Sequence, residues 1–213
     1  MKSDLVRFED WTDPVPPAAR EVVSCLPEDD IGHPPLLFIS GPRPAASIFS
    51  DHWLGHAAGR GFPSYALSPR PGGDLRAQVH DTVQVAASLP RQAVLIGHGL
   101  GALVVARALG RYPARAAMLT APVLGGWPVA RAFSLFSRPA LPAPVGDPPV
   151  LVAGSPDDRA VSRKALDRAA AGYGGAPLLF PGMGHDLMLE EGWEEPIDAI
   201  LDWLEKQLPM PGH

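Results

Sequence analysis

One cysteine, Cys25, is all the thiol this 213-residue chain carries. An internal disulfide is therefore excluded, and so is a metal site built from several cysteines. Runs of lysine or arginine are missing as well. Eighteen basic residues face 23 acidic ones, for a net charge of -5, which disfavours a nucleic-acid or anionic-membrane partner. Apolar runs such as Pro35–Ile39 and Val94–Ile96 are far too short to cross a bilayer. The first residues, MKSDLVRFEDWTDP, are charged and lack the apolar stretch of a secretory signal. These absences lead us to expect a soluble, cytoplasmic protein without a transmembrane segment. Among His33, His52, His56 and His80 the only ligand spacing is His52/His56, and two histidines without a third ligand do not make a zinc site. Neither a metal nor a cofactor is expected.

What is present is globular. Apolar residues make up 46% and charged residues 19%, enough for a sizeable core in a single domain spanning 1–213. Abundant Ala, Arg, Gly and Pro suit a high-GC bacterial genome. Strands are expected at Glu21–Leu26, Leu36–Ser40, Ser64–Leu67, Ala93–Gly97, Ala116–Thr120, Val150–Ala153 and Pro177–Phe180. Helical periodicity covers Ile48–Ala58, Leu75–Ser88, Leu100–Leu109, Ser162–Tyr173 and Glu194–Leu208. Strands alternating with helices imply βαβ units, and so a mostly parallel, doubly wound α/β sheet. Two Pro-rich stretches depart from the alternation. Pro14, Pro16 and Pro17 suggest an extended N-terminal arm, and 125–149 suggests a short helical piece followed by loop.

The stretch VLIGHGLGALVVARALG, residues 94–110, has an apolar strand, a Gly-rich turn and a helix. That is the shape of a nucleophile elbow, G-x-S-x-G, whose central serine attacks the substrate. Here the five residues are Gly97, His98, Gly99, Leu100 and Gly101. The nucleophile position holds no side chain. In an open parallel sheet ligands bind beyond the carboxyl ends of the strands. The residues following the strands are Ser40, Gly41 and Pro42, then the elbow, then Asp157 and Asp158, then His185. Elbow, acid, histidine is the chain order of α/β-hydrolases. The 27 residues from Asp158 to His185 leave room for one helix and one strand.

With DHWLGHAAGRGFPSYALSPR, VLIGHGLGALVV, GSPDDRAVS and PGMGHDLMLEEGWEEPIDAILDWL, the chain resembles small α/β-hydrolases of the lysophospholipase and monoacylglycerol-lipase kind over nearly its whole length. The resemblance implies an α/β-hydrolase fold with a shortened cap at about 125–149. It implies a site histidine at His185 and its acid at Asp158, because the spacing to Val161 matches the family's D-x-x-V; Asp157 is the alternative. Leu100 would supply one oxyanion donor through its backbone. The loop Ser40-Gly41-Pro42 would supply the other, but proline has no N–H to give. Trp127, Phe133 and Phe136 in the cap could line a substrate pocket or only fasten the cap. Ser40 and His98 count with Leu100, Gly41 and Pro42 as oxyanion and pocket residues, set against plainer roles for Ser40 as a hydrogen-bonded structural hydroxyl and for His98 as a side chain packed beside the strand; Cys25 is expected to be buried, and Trp193 and Trp203 to lie in the core.

An acid-held imidazole serves any proton abstraction, not only activation of serine. The leading expectation is thus a cofactor-free acid/base enzyme (cyclase, lyase or isomerase type) on a small apolar or polyketide-like molecule, with a His185–Asp158 dyad. One alternative is hydrolysis of an ester or related bond by His-activated water, or a Ser-to-Gly variant of a serine esterase. Another is a non-catalytic binding or scaffold protein, for which a protein partner would be the ligand.

Overall fold

The computed structural model describes residues 13–41, 46–125 and 141–208. Seven strands form one sheet: β1 (Val22–Cys25), β2 (Leu36–Ile39), β3 (Ser64–Leu67), β4 (Val94–His98), β5 (Ala116–Thr120), β6 (Val150–Gly154) and β7 (Leu178–Leu179). Their spatial order is β1-β3-β2-β4-β5-β6-β7. Only β1 runs antiparallel, paired with β3; every other pairing is parallel. All seven expected strands are present, the last shortened to two residues. Strands β2, β4 and β5 are buried throughout, so both of their faces must be apolar, and they read as continuous hydrophobic runs.

Among the described residues the helices are α1 (Ser47–Ser50), α2 (Trp53–Gly59), α3 (Leu75–Ser88), α4 (Leu100–Ala108), α5 (Arg163–Ala171) and α6 (Glu194–Gln207). The expected helix over Ile48–Ala58 is two pieces, broken at Asp51–His52, where His52 leaves the helical region with φ -137°. Side-chain caps start two helices: Asp74 Oδ1 accepts from the Ala77 N–H at 2.8 Å and Ser162 Oγ from the Ala165 N–H at 3.3 Å. Each satisfies an N–H that the first turn leaves orphaned. In α6, Glu194 and Glu195 sit at the positive end of the helix dipole, and Pro196 lies in the first turn, where no N–H is needed.

Alternation along the strands sorts the core into two layers. Leu37, Ile39, Leu95 and Leu119 meet α3, α4 and α5 on one face. Leu36, Phe38, Ile96 and Met118 meet α1, α2 and α6 on the other, through Phe49, Trp53, Ile197 and Ile200. The N-terminal arm crosses the surface and is tied down by Arg70. Its Nη1 donates to the Pro16 carbonyl at 2.6 Å while Nε holds Asp81 Oδ2 at 2.5 Å. Arg20 Nε adds a 2.8 Å bond to the same buried carboxylate, whose ionised form these cations favour. Three expectations need correction. Cys25 is half-buried, because β1 is an edge strand. Trp193 and Trp203 are only partly buried against the core layer that meets α1, α2 and α6. Residues 126–140, most of the expected cap, lie outside the described residues, and 141–149 is loop.

Chain order fixes where a ligand can sit. From β2 the chain moves outward to β3, then returns to place β4 on the other side of β2. Beyond the carboxyl ends of β2 and β4 the connections therefore diverge, the place where open α/β sheets generally bind ligands. Ser40–Gly41 and the Gly99 turn both follow those two strands.

Candidate active site

Gly99 links β4 to α4 with φ 56° and ψ -117°, a conformation costly for any residue with a Cβ. The turn is pinned to the neighbouring strand. The Gly99 N–H donates to the Thr120 carbonyl at 3.0 Å, and the Gly99 carbonyl accepts from the Val123 N–H at 2.9 Å. Among the described residues, a Cβ built on Gly99 would meet, beyond its chain neighbours, only His185: Nε2 at 3.3 Å and Cε1 at 4.0 Å. Glycine therefore puts no side chain against the imidazole's Nε2.

His185 follows β7, and its other nitrogen is fixed. Nδ1 donates to Asp158 Oδ2 at 2.7 Å. The Asp158 side chain is 1% exposed, and burial of an ionised carboxylate requires partners. Its Oδ1 accepts from the Ala160 N–H at 2.6 Å and the Val161 N–H at 3.1 Å. Val161 thus belongs to the acid's cradle, a physical reason for the D-x-x-V spacing. Asp157 faces elsewhere: its Oδ2 accepts from the Gly182 N–H at 2.7 Å and so holds the loop leading to His185.

His98 ends β4. It shares the face of Val94 and Ile96 by strand alternation and is 3% exposed. Nε2 donates to Asp186 Oδ1 at 2.9 Å, and the ring lies 4.9 Å from that of His185 at 50°. Among the described residues the buried Nδ1 of His98 has no partner. Burial holds His98 below the ordinary histidine range, outweighing the pull of Asp186, and the neighbouring His185 adds to the lowering. The neutral His98 N–H in turn keeps the Asp186 carboxyl below its usual range. Asp186, next to His185 in sequence, carried no signal of its own. The parity of His98 with Val94 and Ile96 was the available clue.

Because the unfolded chain takes up the His98 proton more readily than the folded one, stability falls as pH drops below about 6.5. His98→Gln keeps an N–H for Asp186 without a titrating group. It is expected to flatten the loss of stability below that pH relative to wild type, as measured by urea midpoints at pH 7.5 and 5.5. Equal slopes in the two proteins would contradict the assignment.

Of the other candidates, Ser40 is buried at the end of β2, yet among the described residues its Oγ has no partner, so the expected structural hydrogen bond is not found there. Gly41 is buried beside it, and Leu100 opens α4 half-buried with its N–H at the helix N-terminus. Pro42, Trp127, Phe133 and Phe136 lie outside the described residues. His52 stacks on Trp193, and His56 Nε2 bonds Asp198 Oδ1 at 2.7 Å; the pair does not converge on a common ligand point. Among the described residues the grouping with metal-ligand geometry is His98, His185 and Asp186, one ligating atom from each lying within 4.8 Å of the others.

A mostly apolar cavity of about 720 Å³ opens between the chain after β5, the 141–144 stretch and the α5 face, near Ala165, Ala169 and Tyr173. Gly99, Asp158 and His185 do not line it. Its walls nevertheless include Val123 and Val161, the residues hydrogen-bonded to Gly99 and Asp158. Among the described residues no helix is long and apolar enough to cross a membrane.

The sequence profile of the family described as serine hydrolase matches residues 70–203, well over half of the chain. No curated protein matches it in sequence. Solved structures share the fold. A monoacylglycerol lipase of Paleococcus ferrophilus superposes with a TM-score of 0.68 at 15% identity, covering 89% of this chain and 100% of the other. The N-acyl homoserine lactonase AidH, complexed with N-butanoyl homoserine, gives 0.69 at 16%, covering 91% and 95%. An α/β serine hydrolase without a lid, from Xanthomonas campestris, gives 0.61 at 20%, covering 91% of each. The chain therefore has the α/β-hydrolase fold.

Proposed function

Because the chain belongs to the serine hydrolase family, we propose that it keeps the family's acid–histidine pair and uses it without a serine. In this reading the protein is a cofactor-free acid/base enzyme. His185, oriented by Asp158, withdraws a proton from a small, mainly apolar molecule in a cyclisation, elimination or isomerisation. The observation that carries the reading is that Gly99 puts no side chain against His185 Nε2, beside an Nδ1 held at 2.7 Å by a buried carboxylate. A general base needs its free nitrogen within hydrogen-bond reach of the proton it takes. A serine hydroxyl would occupy that place; glycine yields it to the substrate. The apolar cavity nearby supports a ligand with hydrophobic bulk.

A second reading places a water against the same nitrogen and an ester or lactone carbonyl above Gly99, with the Leu100 N–H as oxyanion donor. Pro42 weighs against it, since the loop residue expected to give the second donor has no N–H. One such donor is commonly worth about 3–4 kcal/mol.

Gly99→Ser separates serine chemistry from both. The substitution is expected to cost about 1–3 kcal/mol of stability, because Cβ enters a positive-φ position and crowds the imidazole. The folded variant should hydrolyse short-chain aryl esters little better than wild type. Efficient, burst-phase turnover by the variant would show that only the serine was missing, and the proposal would fall.

A further inference from the structure

Beside the general base stand two further donors, His98 and Asp186, that the acid/base reading does not use. We propose that His98, His185 and Asp186 form a binding site for a zinc-type divalent cation, with a fourth coordination position open over Gly99. Two imidazoles and one carboxylate are ligands that suit zinc, and three protein ligands with one open position is the pattern of exchangeable rather than purely structural sites. Ligand atoms at about 2.0–2.1 Å around a tetrahedral ion stand roughly 3.3 Å apart. His98 Nε2 and Asp186 Oδ1 are already at 2.9 Å, and the whole set closes within 4.8 Å. The remaining adjustment falls on His185 and Asp186, whose side chains are 29% and 43% exposed and free to turn slightly.

The surroundings favour an ion as well. His185 Nδ1 is bonded to Asp158, which leaves Nε2 for a metal. A carboxylate on the far nitrogen of a ligating imidazole fixes its tautomer and raises its basicity. Ligation by His98 moves its ring proton from Nε2 to Nδ1 and exchanges the hydrogen bond to Asp186 for a bond from each residue to the ion. Asp158 and Asp186 bring two negative charges to the vicinity, matching a dication. On the fourth side a residue larger than glycine at position 99 would intrude on His185 Nε2.

This site goes beyond the acid/base reading and has a consequence for it. One lone pair on His185 Nε2 serves either a proton or a metal, so the loaded protein has no free base there. Metal occupancy therefore switches the base off.

The test is calorimetric titration of the full, metal-stripped chain with zinc chloride, paralleled by the visible spectrum with cobalt(II). The expected result is one ion per chain, with cobalt giving the intense d–d bands of a four-coordinate site. Asp158→Asn, which leaves all three ligands in place, should weaken zinc about 10–100-fold. His185→Ala and Asp186→Asn should each weaken it more than that, whereas the double variant His52→Ala, His56→Ala should bind as wild type does. His98→Ala is predicted to behave like the other ligand variants; because His98 is buried, the decision rests on the two more exposed ligands. Absence of stoichiometric binding, or binding indifferent to His185→Ala and Asp186→Asn, overturns the site. Turnover is not the readout, so failure of the base assignment would leave this result standing, and the reverse.

Discussion

Replacing His185 with alanine is expected to lower the native reaction about 10²–10⁴-fold, the usual contribution of a positioned general base, or roughly 3–5 kcal/mol in the barrier. The loss should come without unfolding. His185 stands on a loop after a two-residue strand, with its side chain 29% exposed, so little core packing goes with it. Asp158 loses one partner but keeps two backbone N–H donors on Oδ1, and solvent can reach Oδ2 through the space vacated. The measurement is product formation in a deletion strain carrying either wild type or the variant, set beside the variant's thermal midpoint. Full function in the His185→Ala strain, with loss instead in Phe133→Ala or Phe136→Ala, would mean that the protein works by binding, and the enzyme reading would have to go.

The fold was legible where the physics is local. Continuous apolar runs such as Leu36–Ile39 and Val94–Ile96 announce strands buried on both faces, and helical periodicity placed α3 at Leu75–Ser88 to the residue. Boundaries drifted where tertiary contacts decide them. The run Pro177–Phe180 keeps only two paired residues because it lies at the sheet edge with a partner on one side. The break at His52 has no Gly or Pro to signal it. The site was legible to the extent that chain order mirrors strand ends: Gly99, Asp158 and His185 each follow a strand, and the structure brings the three together. Asp186 and His98 were invisible as a pair, since 88 residues separate them and their contact depends on how the loop after β7 folds back over β4. Ser40 shows the limit from the other side. Its position at the end of β2 follows from the pattern, but whether its hydroxyl finds a partner depends on packing that no single-residue preference encodes.

The largest effect on stability is expected from Gly101→Ala, a change of one methyl group. Gly101 lies in the first turn of α4, which must come close to the ends of β2 and β4 to place the Gly99 turn there. A Cβ on Gly101 would run into the Ile39 carbonyl oxygen, with the Ile39 and Ser40 carbonyl carbons at 2.7 and 2.8 Å. Those are backbone atoms of a central strand, held in register with Leu67 on one side and Gly97 on the other, so no flexible side chain can move aside. Gly97 faces the same seam: its Cβ would lie 2.5 Å from the Gly101 carbonyl oxygen and 2.6 Å from Ala102 Cα. The two glycines let helix and strand approach backbone to backbone. Relief of the clash must lift α4 from the sheet, disturbing Leu103, Val104 and Val105, all buried in the core layer that meets α3, α4 and α5. Overpacking typically costs 1–3 kcal/mol, and a backbone clash belongs at or beyond the top of that range. At about 3 kcal/mol the thermal midpoint should drop by roughly 6–12 °C for a chain of this size. Gly55→Ala, in α2 where an added Cβ meets nothing within 4 Å, should go the other way and stabilise by about 0.5–1 kcal/mol, since alanine is the better helix former. Opposite signs for the same chemical change would place the cost at the helix–sheet seam. If Gly101→Ala left the midpoint unchanged, the close approach that positions the Gly99 turn would not be a constraint on this fold.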